Sequence, residues 1–394
     1  MRIGLLSPSI YMSPTLFGDM IFAPRDLSIT LADGLIDKGH EVYFFTAPDI
    51  KTKAILIGGD DSLLKDSFIE EKVQGQPGER LKWASFYTIK RSYEMDLTEQ
   101  CYKMALDGKL DIVHSYHDTL AHFFNELTQF PTVYTLHDPL PSNKNALSYW
   151  LLEKFKYQNY VSISKAFERF NRLNLNFIDT VYHGINASGY QFFPNKGEYL
   201  AFIGRMEKEK GMEIAIDIAN TVKKKIRIAT SPETQYKNLP YYKDAISPRI
   251  TPEVIFTGFL DPNKKYEFLG NALCLLFPIQ WEEPFGMVII EAMACGTPII
   301  AYNRGSVSEI VQDGVTGFII DADDEERPGK GRWIIKKRGI EGLIEAVQRI
   351  NSLSETESRK MREACRERVE SMFTVEKTVE GYEKAYKKII GVSS

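Results

Sequence analysis

The 394-residue chain has four cysteines, Cys101, Cys274, Cys295 and Cys365, scattered with no C-x-x-C pair. Their spacing encodes neither a disulfide framework nor a zinc site, and a reducing, cytoplasmic setting is expected. Long apolar runs are also missing. The first, Ile3 to Leu6, is a strand's length and lacks the core and cleavage site of a signal peptide, and no segment approaches the 18 apolar residues of a membrane span. Neither secretion by that route nor anchoring by a span is expected. Charge of one sign is not in excess either, since the formal net charge is −4, and this argues against a nucleic-acid footprint. Several signatures of common chemistry do not occur: G-x-G-x-x-G, the P-loop G-x-x-x-x-G-K-[ST], and the G-x-S-x-G nucleophile elbow. Dehydrogenase, kinase and hydrolase readings lose their main support.

What is present is an ordinary globular composition, 43% hydrophobic and 26% charged, in a chain long enough for two domains. Arg2 to Ser7 predicts a buried strand. A helix follows with Leu27, Leu31, Leu35 and Ile36 on one face and a stop at Gly39, and Glu41 to Thr46 is the next strand. Residues 50–110 are less regular. Short apolar runs return at Asp111–His114, Thr132–Leu136 and Tyr160–Ile163, and the alternation predicts a doubly wound α/β domain. Polar, Gly- and Pro-containing sequence from Asp179 to Gly197 reads as a linker. A second β/α series runs through Tyr199–Ile203, Ile226–Ala229, Val254–Phe256, Cys274–Phe277 and Pro298–Ala301. The expected domains are therefore 1–187 and 188–372, followed by an amphipathic helix that places Val375, Val379, Tyr382, Tyr386 and Ile389 on one face.

The most informative segment is Trp281 to Gly296, where a buried strand gives way to a helix expected to begin at about Pro284 to Gly286. The N–H groups of Gly286, Met287 and Val288 would form a phosphate site, with Gly286 admitting close approach of a ligand. Glu283 precedes the helix. Glu291 lies about 7.5 Å along the axis from Gly286, within reach of a ligand seated on the helix end. The two carboxylates could accept hydrogen bonds from sugar and ribose hydroxyls, or could simply be a capping carboxylate and an exposed helix glutamate.

A second constellation, Gly204 to Gly211, follows the strand Tyr199–Ile203. Arg205 and Lys210 could neutralise a diphosphate leaving group there, or belong to a solvated charged turn. Thr135-Leu-His-Asp138 puts His137 at a strand end, where it could bond a sugar or be satisfied structurally. His114, His117 and His122 invite a metal reading, but no carboxylate or cysteine completes a known ligand spacing. No metal or cofactor is expected. The insertion Asp321 to Arg338, with Arg327, Lys330, Arg332, Lys336, Lys337 and Arg338, reads as a solvated loop or an anion site. The aromatic stretch Ser148 to Tyr157 fits core packing, with peripheral contact to a membrane-borne acceptor as the other reading.

Glu283-Pro-Phe-Gly-Met-Val-Ile-Ile-Glu291 resembles the E-x7-E motif of family 4 retaining glycosyltransferases. Ala294–Ala301, Gly305–Val311 and Asp313–Phe318 continue the likeness, as do Gly204-Arg205 with Lys210-Gly211 and the stretch Gly39-His-Glu-Val42. The resemblance implies a GT-B fold, two Rossmann-like domains facing a cleft, with the first binding the acceptor, the second the donor, and residues 373–394 crossing back to complete the first. It implies a retaining, metal-independent hexosyltransferase that takes a nucleotide-diphosphate sugar, UDP-glucose first and GDP-mannose second. Arg205 and Lys210 would hold the diphosphate, Glu291 the ribose, Glu283 and the backbone of Phe285, Gly286 and Met287 the transferred sugar, and His137 a sugar hydroxyl from the opposite wall. The family's Gly-Gly pair in the first loop is reduced here to Gly18, within Thr15 to Pro24. A nucleotide-sugar epimerase of the same fold and a non-catalytic sugar-nucleotide-binding protein are the alternatives.

Overall fold

The computed structural model describes residues 1–17, 22–60, 79–116, 120–323 and 332–391. The chain divides into two compact units. One comprises Met1–Ile163, Phe167–Tyr182 and Val375–Ser394, the other Ser164–Ala166 and His183–Thr374. The division thus falls ahead of the expected boundary after Ala187. Its cause is local: Ile185 bonds the Phe373 carbonyl at 2.9 Å and bridges to Thr374, so this stretch belongs with the second unit. The expected linker is also a packed segment. Phe193 N–H reaches the Cys295 carbonyl at 3.0 Å, and a methyl group added at Gly296 would lie 2.7 Å from the Phe192 ring.

The first unit holds a seven-stranded sheet in the order β3-β2-β1-β4-β5-β6-β7. The strands are β1 (Arg2–Leu6), β2 (Glu41–Thr46), β3 (Ile55–Gly58), β4 (Ile112–Ser115), β5 (Thr132–Leu136), β6 (Asn159–Ser162) and β7 (Phe177–Thr180). All neighbours are parallel, with Leu5 opposite Phe44 on one side and His114 on the other. The irregular stretch of the sequence contains β3 and a helix of 28 residues, Glu79–Leu106.

Alternating side chains of this sheet feed two cores. Ile3, Leu5, Val42, Phe44 and Ile112 pack with Leu31 and Leu35 of the helix Ala23–Asp37 and with Val379, Tyr382 and Tyr386 of the helix Val375–Ile390. Leu6, Phe45 and Val113 pack with Tyr93, Leu97 and Cys101 of the long helix. The closing helix is also held by polar contacts. His114 Nδ1 meets the Tyr386 hydroxyl at 2.6 Å, His114 Nε2 meets Thr135 Oγ1 at 2.8 Å, and Thr135 Oγ1 meets the Tyr382 hydroxyl at 3.0 Å. Burial pushes His114 down to about 3, so it is neutral there.

The second unit holds a six-stranded parallel sheet in the order β10-β9-β8-β11-β12-β13. The strands are β8 (Tyr199–Ile203), β9 (Ile226–Ala229), β10 (Val254–Gly258), β11 (Ala272–Phe277), β12 (Ile299–Tyr302) and β13 (Gly317–Ile320). The helix Glu355–Met372 is started by a capping box of Ser354 and Glu357. It is tied to the rest of its unit by Arg362, 1% exposed, which donates to the carbonyls of Phe193 at 2.6 Å, Ala272 at 3.0 Å, and Gly270. Residues 324–331 of the basic insertion lie outside the described residues. Of the remainder, Trp333 is fastened to Asp321 at 3.0 Å and Lys337 pairs with Glu345 at 3.8 Å.

Candidate active site

Both constellations of the second unit grow from the carboxyl ends of neighbouring strands. After β8 the chain turns through Gly204 and a short helical turn, Lys208–Lys210, to Gly211. Gly211 has φ +71°, and a Cβ there would lie 2.2 Å from the Pro278 carbonyl, so only glycine lets the loop close onto the segment after β11. Gln280 N–H seals that contact on the Glu209 carbonyl at 2.7 Å.

Closure delivers Lys210 to Glu283. Their charged atoms are 3.3 Å apart, with side chains 16% and 11% exposed. Trp281 completes the cluster, since its indole N–H donates to the same carboxylate oxygen at 2.9 Å while the Lys210 ammonium sits 4.4 Å from its ring centre. Glu282 is turned to a different task, accepting Gly305 N–H at 2.6 Å. Gly305 has φ +57°, and a Cβ would lie 2.1 Å from the Glu283 carbonyl oxygen, which is why β12 must be followed by glycine here. Ser306 then bonds that carbonyl through its N–H at 2.9 Å and the Phe285 carbonyl through its hydroxyl at 2.7 Å. The backbone around Glu283 is therefore fixed from behind.

Gly286 adopts φ +85° and caps a helix that runs Met287–Ala294, later than the expected start at Pro284 to Gly286 because a left-handed residue cannot sit inside a helix. No side chain caps it and its first turn has no acid, so the N–H groups of Met287 and Val288 keep their positive field. Phe285 is buried beneath, edge-on to His183 at 5.2 Å and Phe373 at 5.9 Å. One turn along, Glu291 Oε1 is held by Lys265 at 2.6 Å, and the Tyr190 hydroxyl lies 3.5 Å from the same oxygen. Burial, with the Glu291 charge next, pushes the Tyr190 phenol well up, so it is a neutral donor.

The structure thus brings together Lys210 and Glu283, and sets Phe285, Gly286, Met287, Val288 and Glu291 on one strand-to-helix passage. Arg205 is not in that cluster: half-exposed, it pairs with Glu207 at 3.1 Å. His137 lies in the first unit, where Nε2–H donates to the Tyr116 carbonyl at 2.7 Å and the ring meets Tyr116 edge-on at 4.6 Å. Gly18 and His117 fall outside the described residues. His122 is buried, bonded to Gln158 at 2.7 Å and stacked on Tyr134. Among the described residues no group of three or more His, Cys, Asp or Glu could hold a metal ion. Trp281, Lys265 and Tyr190 escape the sequence reading. Trp281 stands inside the motif and was open to notice, whereas Lys265 lies 26 positions from its partner with no pattern joining them.

Two doubly wound parallel sheets with strand-to-helix sites define a GT-B fold, and solved structures of that class superpose over the chain. Sucrose-phosphate synthase of Thermosynechococcus elongatus matches with TM-score 0.73 at 18% identity, covering 100% of each chain. Alr3699/HepE of Anabaena, solved with UDP and glucose and with UDP-glucose, gives 0.65 at 16% identity for the former, over 98% of this chain and 100% of its own. Residues 188–331 match the family model of the glycosyl transferases group 1. A D-inositol 3-phosphate glycosyltransferase of Acidothermus cellulolyticus is 28% identical over 34% of this chain and 32% of its own length. The chain spans between about a third and about half of the curated relatives first in similarity.

Proposed function

We propose that the protein transfers a hexose from a nucleotide-diphosphate donor to an acceptor hydroxyl, with retention at the anomeric carbon and without a metal ion or cofactor. The observation that carries this reading is the Lys210–Glu283–Trp281 cluster beside the uncapped start of the helix Met287–Ala294. In the free protein Lys210 is balanced by Glu283. An arriving diphosphate takes over the ammonium and the helix-end N–H groups, with Arg205 swinging from Glu207 to assist, and Glu283 is released to accept from sugar hydroxyls. Glu291 takes the ribose hydroxyls.

The bond from the anomeric carbon to the phosphate oxygen breaks as the acceptor oxygen bonds the same face, and the acceptor proton passes to the departing phosphate. Charge built on that phosphate is what Lys210, Arg205 and the helix end stabilise. UDP-glucose is the first donor to test, supported by the UDP-glucose complex of the structurally similar HepE, and GDP-mannose the second. Four free, buried cysteines fit a reducing compartment, and the cytoplasm is the proposed location.

A thermal-shift screen of nucleotide sugars tests the reading. A donor at 100 times its Kd adds about 2.7 kcal/mol of stability, and product from the responding donor should keep the donor's anomeric configuration by NMR. An inverted product, or a glycosyl adduct trapped on a carboxylate, would overturn the mechanism. An epimerised donor with no nucleotide released would overturn the activity.

A further inference from the structure

Residues 278–286 join β11 to the helix Met287–Ala294 without helix or strand of their own. Within them the Glu283 backbone is constrained twice. Pro284 disfavours a helical conformation at the residue before it, and the Ser306 N–H holds the Glu283 carbonyl at 2.9 Å. The side chain still turns about several bonds, so its direction is set by what holds the carboxylate. Two donors reach it, the Lys210 ammonium at 3.3 Å and the Trp281 N–H at 2.9 Å, and both arrive on Oε2. Oε1 has no donor among the described residues.

A diphosphate acts on these two donors differently. The ammonium is a point charge on a flexible stem, which a stronger anion draws away. The indole N–H is a donor only and carries no charge, and its rigid ring turns about just two bonds. Once Lys210 leaves, the Glu283 side chain, only 11% exposed, has lost its counter-charge. A mostly buried carboxylate left with no donor at all is costly, and that cost would oppose the exchange. Trp281 removes much of it, because its hydrogen bond to Oε2 persists whichever partner Lys210 takes. The same bond keeps the carboxylate from swinging after the departing ammonium, so Oε1 is the oxygen left for a hydroxyl.

We infer that Trp281 is a positioning residue for Glu283: its N–H holds Oε2 while Lys210 passes to the diphosphate, and so presents Oε1 to the sugar. The inference rests on the sugar-transfer reading, in which Glu283 accepts from a sugar hydroxyl. Isothermal titration with UDP and with GDP, on wild type, Trp281→Phe, Glu283→Gln and the double variant, tests the exchange. Phenylalanine keeps an aromatic face for Lys210 and removes the N–H, so the nucleotide that wild type binds should bind Trp281→Phe about tenfold more weakly. In the Glu283→Gln background the same change should cost nothing, because a neutral amide loses no counter-charge when Lys210 moves. A penalty of equal size in both backgrounds would make Trp281 a packing residue and overturn the inference, as would undiminished binding by Trp281→Phe. Trp281→His tests the presentation of Oε1. Histidine Nε2 occupies the five-membered-ring position of the indole Nε1, and at about pH 8 the imidazole is a neutral donor. With the donor that the thermal-shift screen returns, Trp281→His should transfer sugar several-fold faster than Trp281→Phe. Packing alone would favour the larger phenylalanine ring, so the reverse order would also overturn the inference. A wild type that binds neither UDP nor GDP would instead refute the sugar-transfer reading itself, and the role of Trp281 with it.

Discussion

Glu283→Gln should tighten binding of free UDP while abolishing sugar transfer. In the unliganded protein the Glu283 carboxylate competes with the donor's diphosphate for Lys210, at 3.3 Å and with both side chains mostly buried. Glutamine keeps the shape and can still accept from the Trp281 N–H, so the change removes the competitor and little else. A pair so placed is worth about 1 kcal/mol, or roughly fivefold in Kd. Lys210→Met works the other way, since a hydrogen bond to a charged group contributes about 1.5 to 3 kcal/mol, a loss of roughly 10- to 150-fold. The double variant should match Lys210→Met, because the carboxylate matters to UDP only through the lysine. Isothermal titration with UDP reads all four proteins. Weaker binding by Glu283→Gln, or unchanged binding by Lys210→Met, would refute the exchange.

Three further outcomes follow from the same geometry. Glu291→Ala, which strands Lys265, should erase the donor-induced thermal shift, and an undiminished shift would sink the ribose assignment. Gly305→Ala should lower the melting temperature and remove donor binding together, because its Cβ would lie 2.1 Å from the Glu283 carbonyl oxygen; a melting curve like wild type would show that the loop yields. Acid should weaken the first unit before the carboxylates titrate. Burial holds His114 down to about 3 and His122 to about 4. The unfolded chain gains these protons below about pH 6.5 and the folded one does not, so stability present above that value falls as the pH is lowered. For the pair the loss from pH 7 to pH 5 is about 4 kcal/mol, and equal urea-unfolding free energies at the two values would contradict it.

Strands buried on both faces announced themselves as apolar runs, which is why β1, β2, β4, β5 and β8 were readable. β3 and β7 were not: both close edges of the first sheet with partly exposed residues, β3 as a run of only three apolar residues inside an irregular stretch and β7 with two of its four residues polar. The helix start at Gly286 was misplaced by the pull of Pro284, a residue common in first turns, when the deciding quantity was the positive φ two residues later. The aromatic stretch from Ser148 divided its residues between core and surface, which composition alone does not separate. At the site, local sequence carried Glu283, Gly286 and Glu291, all on one passage. Lys265 comes to Glu291 from the helix Pro262–Gly270 and Tyr190 from the segment after Gly189, and His137, legible as a strand-end histidine, gave no sign that its Nε2 is spent on the Tyr116 carbonyl.

The helix Val375–Ile390 has a consequence for how the protein is made. While the ribosome translates the roughly 190 residues from His183 to Thr374, some 10 to 40 s of synthesis, the sheet face bearing Ile3, Leu5, Phe44 and Ile112 waits without Tyr382 and Tyr386 to cover it. The second unit, almost contiguous in sequence, closes on its own while the earlier one is still incomplete. The half of the protein synthesised first is thus the half that finishes last, and a nascent chain stalled before Val375 presents that bare sheet to chaperones and proteases.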